Sequence, residues 1–480
     1  MRQEWILEEI MFKCTGICSK CGRCKNSAMM SGANDRKTKM LNYPEGFTPD
    51  RDRKGLGAAF DIGTTTVVGM LWDLEEGRQI ATEARTNPQN EFGMDVISRI
   101  TYCGEDEGNT EELHGKIVNC INEITGALCA KAGRATSEVV KAAICGNTTM
   151  SHLFAGYEPM SLALAPFTPA YTGTVHTTAA EAGLTISPDA EVTVIPNIAG
   201  HVGGDITAGI VASRLLDMKG ITVFIDIGTN GEIVLSDGEK SFACSTAAGP
   251  AFEGSAIRCG MRAATGAIEK ISIEDGEVFF RTIGWEGGGD EDVVAQGICG
   301  SGLIDAIAQM LDAKLIDKKG RLAAAGEDEK KGYDPRLNDR LGEIDGERVF
   351  VLVSKESGED IVITQKDIRE VQLAKGAIKA GIQLMLKKID KTEEDIDRVV
   401  VAGAFGNYID KESAVRIGVL PEIPMDKIIS AGNTAGAGIS MTLVSKADME
   451  TAENIPSVVE HVELAEDPDF QMIYLQAMGF

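Results

Sequence analysis

The sequence predicts an α/β protein built from two similar halves that face each other across a cleft. Three observations predict it. The peptide Asp-Ile-Gly-Thr occurs twice, at Asp61–Thr64 and Asp226–Thr229, each time after an apolar run. Each copy opens the same series of strand-like segments broken by tight turns. Amphipathic helices then follow each series, and strands alternating with helices are the pattern of a sheet covered by helices.

In chain order, residues 1–57 read as a separate piece. Residues 1–30 hold a short amphipathic stretch, Trp5 to Phe12, and then "CTGICSKCGRC". Residues 31–57 mix Gly, Pro, Asn and charges without apolar periodicity, which marks a linker. Residues 58–216 form the first half. There "AAFDIG" is followed by "TTVVGMLWDL", a turn "EEG" and "RQIATEA". Residues 217–480 form the second, where "TVFIDIG" is followed by "NGEIVLS", a "DG" turn and "KSFACS". Asp-Gly between two alternating segments is a strong hairpin signal. Helical spacing of apolar residues marks "TEELHGKIVNCINEITGALCAKA" in the first half. In the second it marks "GSGLIDAIAQMLDAKL" and "KDIREVQLAKGAIKAGIQLMLKK". A charged, glycine-containing stretch, 317–347, reads as a solvated insertion.

Composition narrows the function. The 480 residues carry 43% hydrophobic and 25% charged side chains, and the formal net charge is −26. That charge argues against nucleic acid, whose binding needs Lys and Arg to neutralise phosphates, and against an anionic membrane surface. No apolar run approaches the ~18 residues of a membrane span, and the acids among the first apolar residues are unlike a signal peptide. A cytoplasmic protein is expected. Four of the eleven cysteines, Cys14, Cys18, Cys21 and Cys24, crowd together. The other seven sit among apolar or small residues and read as buried thiols.

The doubled peptide suits phosphate. A glycine after a buried strand lets the chain turn and presents backbone N–H groups, which bind phosphate oxygens. Hydroxyls beside it, Thr64, Thr65, Thr66 and Thr229, add donors. An aspartate at the strand end can hold a hydrated Mg²⁺ or orient a water. Two such loops facing each other would grip a polyphosphate from both sides. Three more segments fit: "NIAGHVGGDITAGIVASRLL" (Asn197 to Leu216), "RVVVAGAFGNYID" (Arg398 to Asp410) and "SAGNTAGAGISMTLV" (Ser430 to Val444). Taken singly, each is equally a set of helix-packing glycines.

The order phosphate loop, connecting helix, second phosphate loop, adenosine loop, connecting helix resembles the actin, sugar kinase and heat-shock chaperone ATPase superfamily. That resemblance implies two duplicated actin-like (ribonuclease H-like) ATPase subdomains. Asp61–Thr66, with Gly63, match the first phosphate loop; Asp226 and Gly228, Thr229, Asn230, Gly231 match the second. Gly403, Ala404 and Gly406 match the adenosine loop. Gly204 to Gly209 and Gly432 to Gly438 match the connecting helices, and Gly203, Gly204 and Asn433 are expected at the nucleotide. Asp61, Asp205 and Asp226 are the expected catalytic carboxylates.

More narrowly, "NPQNEFGMDVISRI", "AICGNTTMSHLFAG", "GPAFEGSAIRCGM", "ICGSGLIDAIAQML" and "ITQKDIREVQLAKGAI" resemble the reductive activators of corrinoid proteins. These are iron–sulfur ATPases that return Co(II) corrinoid to Co(I) for methyl transfer. The resemblance implies ATP and Mg²⁺, an iron–sulfur cluster on Cys14, Cys18, Cys21 and Cys24, and Lys375, in the last string, at the nucleotide. It also implies a corrinoid protein partner and a low-potential electron donor. The spacing C-x3-C-x2-C-x2-C departs from the plant-type ferredoxin pattern, so cluster type stays open and zinc is the lesser alternative. The oligomeric state, a homodimer included, stays open. A small-molecule kinase and a non-redox, chaperone-like ATPase are the competing functions.

Overall fold

The computed structural model describes residues 43–480 apart from 229, 285–293, 356–357 and 407. The four clustered cysteines and the amphipathic stretch before them therefore lie outside the described residues, as does Thr229.

In the first half, β1 (Leu56–Ile62), β2 (Thr66–Asp73) and β3 (Arg78–Thr86) form an antiparallel meander. β4 (Val139–Gly146) joins β1 in parallel, β6 (Glu191–Val194) joins β4 in parallel, and β5 (Val175–Thr178) closes the edge, giving the order β3-β2-β1-β4-β6-β5. Helices α1 (Val96–Glu105), α2 (Asn109–Ala132) and α3 (Thr148–Ala155) belong to this half. The apolar stripe of α2, from Leu113 through Ile117, Ile121 and Ile124 to Leu128, is fully buried in one core with Phe60, Val67 and Leu71 of the meander.

The second half repeats the plan. β7 (Thr222–Ile227), β8 (Gly231–Ser236) and β9 (Ser241–Thr246) make the meander. Later in the chain β16 (Arg398–Ala402) joins β7 in parallel and β17 (Ile428–Gly432) joins β16 in parallel. The shared order is meander, first strand, two parallel strands. The sixth strand breaks the symmetry: β18 (Val459–His461) pairs with β9, on the edge opposite to that used by β5. Between β9 and β16 lie two three-stranded sheets, β10 (Ala267–Glu274), β11 (Glu277–Thr282) and β12 (Gly297–Ile298), then β13 (Leu341–Ile344), β14 (Glu347–Val353) and β15 (Ile361–Thr364). The stretch 317–347 contributes to the second of these and buries Leu322, Tyr333 and Leu337 in the core. Its charges sit on the outside of a folded element.

Two helices join the halves. α4 (Gly204–Ser213) buries Ile206 and Ile210 against Phe224 and Val234 of the second sheet. Among the later helices, α5 (Gly300–Asp312), α6 (Gln365–Lys388), α7 (Lys411–Ile417) and α8 (Thr434–Val444), it is α8 that returns to the first sheet. It packs Ile439 and Leu443 with Ala59, Met70 and Ala143. The helices cross at backbone range, since a Cβ on Gly438 would lie 1.9 Å from the carbonyl of Ala208.

The later part of the expected linker is bound. Tyr43 stacks on Phe47 at 5.2 Å and meets the edge of Trp72 at 5.6 Å. Asp50 donates its N–H to Val444 and accepts the N–H of Lys446 on its side chain, both at 2.7 Å, at the junction of α8 with α9 (Lys446–Val458). Arg53 pairs with Glu191 at 3.1 Å. Residues 43–53 thus strap both halves together.

Candidate nucleotide site

Parallel pairing with β1 carries β4 to the same end of the first sheet, so Asp61 lies opposite Cys145. In the second, Asp226 lies opposite Ala402 of β16 and Glu232 of β8. The crossing of α4 and α8 brings these strand ends together. Burial pushes the Asp61 carboxyl up to about 7, and the charges of Asp205 and Asp226 add to it, while the Asn433 amide opposes it. Asp226 is also pushed up to about 7, by burial and then by Asp205. Asp205, in the first turn of α4, rises to about 6 through burial, against the helix N–H groups that favour its charge. The charge of Asp205 thus acts on both Asp61 and Asp226, and a nearby cation would favour the ionised form of each.

The first loop is held from behind. Gly63 accepts from the Asn87 amide at 2.9 Å, Thr64 accepts from the Arg99 guanidinium, and Thr65 accepts from the Asn87 backbone N–H at 2.9 Å. A trans peptide aims each N–H opposite the preceding carbonyl. Turning three successive carbonyls toward protein partners therefore turns the amides of Thr64, Thr65 and Thr66 the other way. Asn147, just past β4, also donates to the Thr64 hydroxyl at 2.9 Å.

The second loop is held by the strands themselves. Gly228 donates to the carbonyl of Asn230 at 2.9 Å, and the Thr246 hydroxyl donates to Gly231 at 3.0 Å. Gly403 closes over it: a Cβ there would meet Asp226 Oδ1 at 2.4 Å, and its φ of +81° is itself left-handed. Ala404 and Gly406 complete one helical turn, Gly403–Gly406.

An asparagine ties down the start of each connecting helix, one as its N-cap and one from seven residues upstream. Asn433 accepts the N–H of Gly436 at 2.8 Å, and Asn197 accepts the N–H of Gly204 at 3.0 Å. Gly203 lets that turn touch the loop of Asn147, for a Cβ on it would lie 2.4 Å from the Asn147 Cα.

Of the expected residues, Asp61, Asp205, Asp226 and Asn433 meet, with the two glycine loops and Gly403 beside them. Lys375 does not join them. Its Nζ donates to the Gly479 carbonyl and lies 5.2 Å from the Phe480 ring centroid. The C-terminal residues, rather than the cleft, occupy that face of α6. Sequence reasoning missed Asn87, Arg99, Asn147, Asn197 and Glu232. Glu232 is driven well above the ordinary carboxyl range by burial and by Asp205 and Asp226. Asn197 opens a segment the sequence singled out, but its contact with Gly204 spans seven residues and only the fold brings it there.

Two meander-led sheets, joined by crossing helices and with an acid at the end of each first strand, define a protein of the actin, sugar kinase and heat-shock chaperone ATPase fold. Comparison with known proteins narrows the class. Residues 220–480 match the C-terminal domain of RACo, described as its ASKHA domain, and residues 56–218 match the RACo middle region. The chain belongs to this family, the reductive activators of corrinoid proteins.

The corrinoid activation enzyme RamQ of Eubacterium limosum is 39% identical over 440 residues, 90% of this chain and 72% of that protein. A [Co(II) methylated amine-specific corrinoid protein] reductase of Methanosarcina barkeri is 26% identical over 88% of this chain and 77% of that protein. The solved structure of a reductive activator for corrinoid, iron–sulfur protein superposes with a TM-score of 0.76 at 39% identity. The match covers 89% of this chain and 66% of that one, so this chain spans just under two thirds of that structure's length.

Proposed function

We propose that this protein is an ATP-dependent enzyme that reductively activates a corrinoid protein, returning Co(II) to Co(I). The observation that carries the nucleotide half of this reading is the first loop, whose carbonyls are tied back and whose amides are turned away from those ties. The relatives named as a corrinoid activation enzyme and a corrinoid protein reductase support the other half.

Among the described residues no three His, Cys, Asp or Glu side chains converge closely enough to hold a metal by themselves. Mg²⁺ keeps several waters and takes further ligands from phosphates. Asp61 and Asp226 would hold such an ion through water, and Asp205 would position the attacking water. The amides of Thr64 to Thr66 bind phosphate. Gly403 and Gly406, without side chains, suit the approach of a flat ring.

Four thiols at Cys14, Cys18, Cys21 and Cys24 form a donor set suited to iron–sulfur. Such a cluster supplies one-electron transfer between a low-potential donor and the corrinoid protein. ATP has a physical use here. Moving a two-state equilibrium from 1:99 to 99:1 takes about 5.5 kcal/mol, and ~59 mV of one-electron potential corresponds to about 1.4 kcal/mol. Closure on nucleotide would therefore offset roughly 0.2 V of an uphill transfer.

The test is spectroscopic. With a strong reductant, MgATP and the cognate corrinoid protein, the Co(II) absorbance converts to that of Co(I), and omitting ATP slows or stops it. Replacing Cys18 and Cys21 by Ser abolishes conversion and spares ATP hydrolysis. Full conversion by that variant favours a chaperone-like ATPase. Phosphorylation of a small hydroxyl compound, with cobalt unaffected, favours a kinase.

A further inference from the structure

Arg99 on α1 is fully buried, and its surroundings are unusual for a buried cation. A guanidinium has five N–H donors in a rigid fork. Here Nε donates to the Gly93 carbonyl at 2.9 Å. Nη1 donates to Gln89 Oε1 and to Met150 Sδ, each at 3.2 Å. Nη2 donates to the Thr64 carbonyl and to Asn90 Oδ1. All five donors are satisfied, and every acceptor is neutral.

Among the described residues no carboxylate lies within ion-pair reach of it. Asp95, whose charge is felt at Arg99, is turned to Ser98, which donates to it from both backbone and hydroxyl at 2.8 and 2.9 Å. Burial accordingly presses the guanidinium down to about 10. A buried ion without a counter-ion costs several kcal/mol, and neutral acceptors alone do not remove that cost. The one backbone segment it shares with the site is the Thr64 carbonyl of the first phosphate loop.

We propose that Arg99 is the positioning residue of the first phosphate loop, and that a bound polyphosphate is the missing counter-anion of its guanidinium. The same hydrogen bond that fixes the Thr64 carbonyl turns the Thr65 amide away from it, and the positive charge lies directly behind. Nucleotide binding and the comfort of this buried cation are then coupled. Asn87 and Asn147 fix neighbouring atoms of the loop but carry no charge, so Arg99 alone among the three distinguishes an anionic ligand from a neutral one.

This inference rests on the reading that phosphates occupy the loop, and its test separates the two. Equilibrium binding of MgATP, tripolyphosphate and adenosine is measured on the whole protein for wild type, Arg99→Met and Arg99→Lys. Wild-type protein that binds neither MgATP nor tripolyphosphate removes the phosphate reading itself, and this inference falls with it. Where wild type binds, Arg99→Met is expected to weaken MgATP and tripolyphosphate by roughly tenfold or more and to leave adenosine within about twofold. Unchanged MgATP affinity, or equal losses for MgATP and adenosine, overturns the proposal. Should Arg99→Met fail to fold, Arg99→Lys decides. It keeps the charge and can serve at most three of the five acceptors. An intermediate loss for the two phosphate ligands, with adenosine spared, is expected; no loss, or a loss shared by adenosine, overturns it.

Discussion

The ends of β4 and β16 occupy the same place in their respective halves, and they are finished in opposite ways. Cys145, Gly146 and Asn147 end the first; Ala402, Gly403 and Ala404 end the second. In the first half an amide reaches across to the Thr64 hydroxyl, and a thiol stands 4.0 Å from Asp61. In the second, two alanines flank the glycine that abuts Asp226. One duplicated plan has thus been divided at these strand ends: the first is finished by a thiol and an amide that reach toward the first loop, and the second by a glycine whose backbone abuts Asp226. On the function proposed above, a phosphate chain needs fixed donors and a base needs space, so the phosphates are assigned to the first loop and the base to the Gly403 side.

Adding a methyl group where the second half is bare attacks this division most strongly. In Gly403→Ala the new Cβ meets Asp226 at 2.4 Å in a left-handed backbone. The backbone conformation alone costs about 1–2 kcal/mol, and titration calorimetry should find MgATP affinity reduced by tenfold or more. Asn147→Ala removes an amide where the first half is furnished. It loses the bond to Thr64 and the cap on Met150 N, and a lost cap costs about 1 kcal/mol. Its nucleotide affinity should fall less than that of Gly403→Ala, and a reversed ranking would mean that the base does not lie on the second half.

Proton uptake gives a smaller and shared signal. Asp61, Asp226 and Asp205 titrate higher in the folded protein than the ordinary 3.8. The native state then binds more protons than the unfolded one between about pH 4 and 7, so nucleotide-free stability falls as pH rises through that window. A divalent cation relieves the repulsion, so thermal melting should show MgATP raising Tm more at pH 8 than at pH 6. Equal shifts at both would mean that these acids do not face the ligand.

Much of this architecture was legible from sequence because it is local and repeated. Asp61 and Asp226 announce themselves by the same tetrapeptide, and the turn glycines follow directly. The scaffold of the first loop was not legible, since Asn87, Arg99 and Asn147 reach it from three separated segments and only the fold brings them together. Lys375 shows the converse. Helical periodicity places it on a buried face, but it cannot say that the last residues of the chain, rather than a ligand, cover that face. The strap misled for a similar reason, because a polar, glycine-containing composition conceals two aromatic residues, Tyr43 and Phe47, that find Trp72 only in three dimensions.

That both halves act on one nucleotide is tested most directly by a double-mutant cycle. MgATP affinity is measured by calorimetry for wild type, Asp61→Asn, Asp226→Asn and the double variant. Independent sites add within about 0.3–0.5 kcal/mol, whereas residues sharing a ligand couple by roughly 0.5–3 kcal/mol. Two loops closing on a single Mg²⁺–nucleotide predict a coupling in the larger range, of either sign. Additive effects would contradict it, and would assign the nucleotide to one half alone.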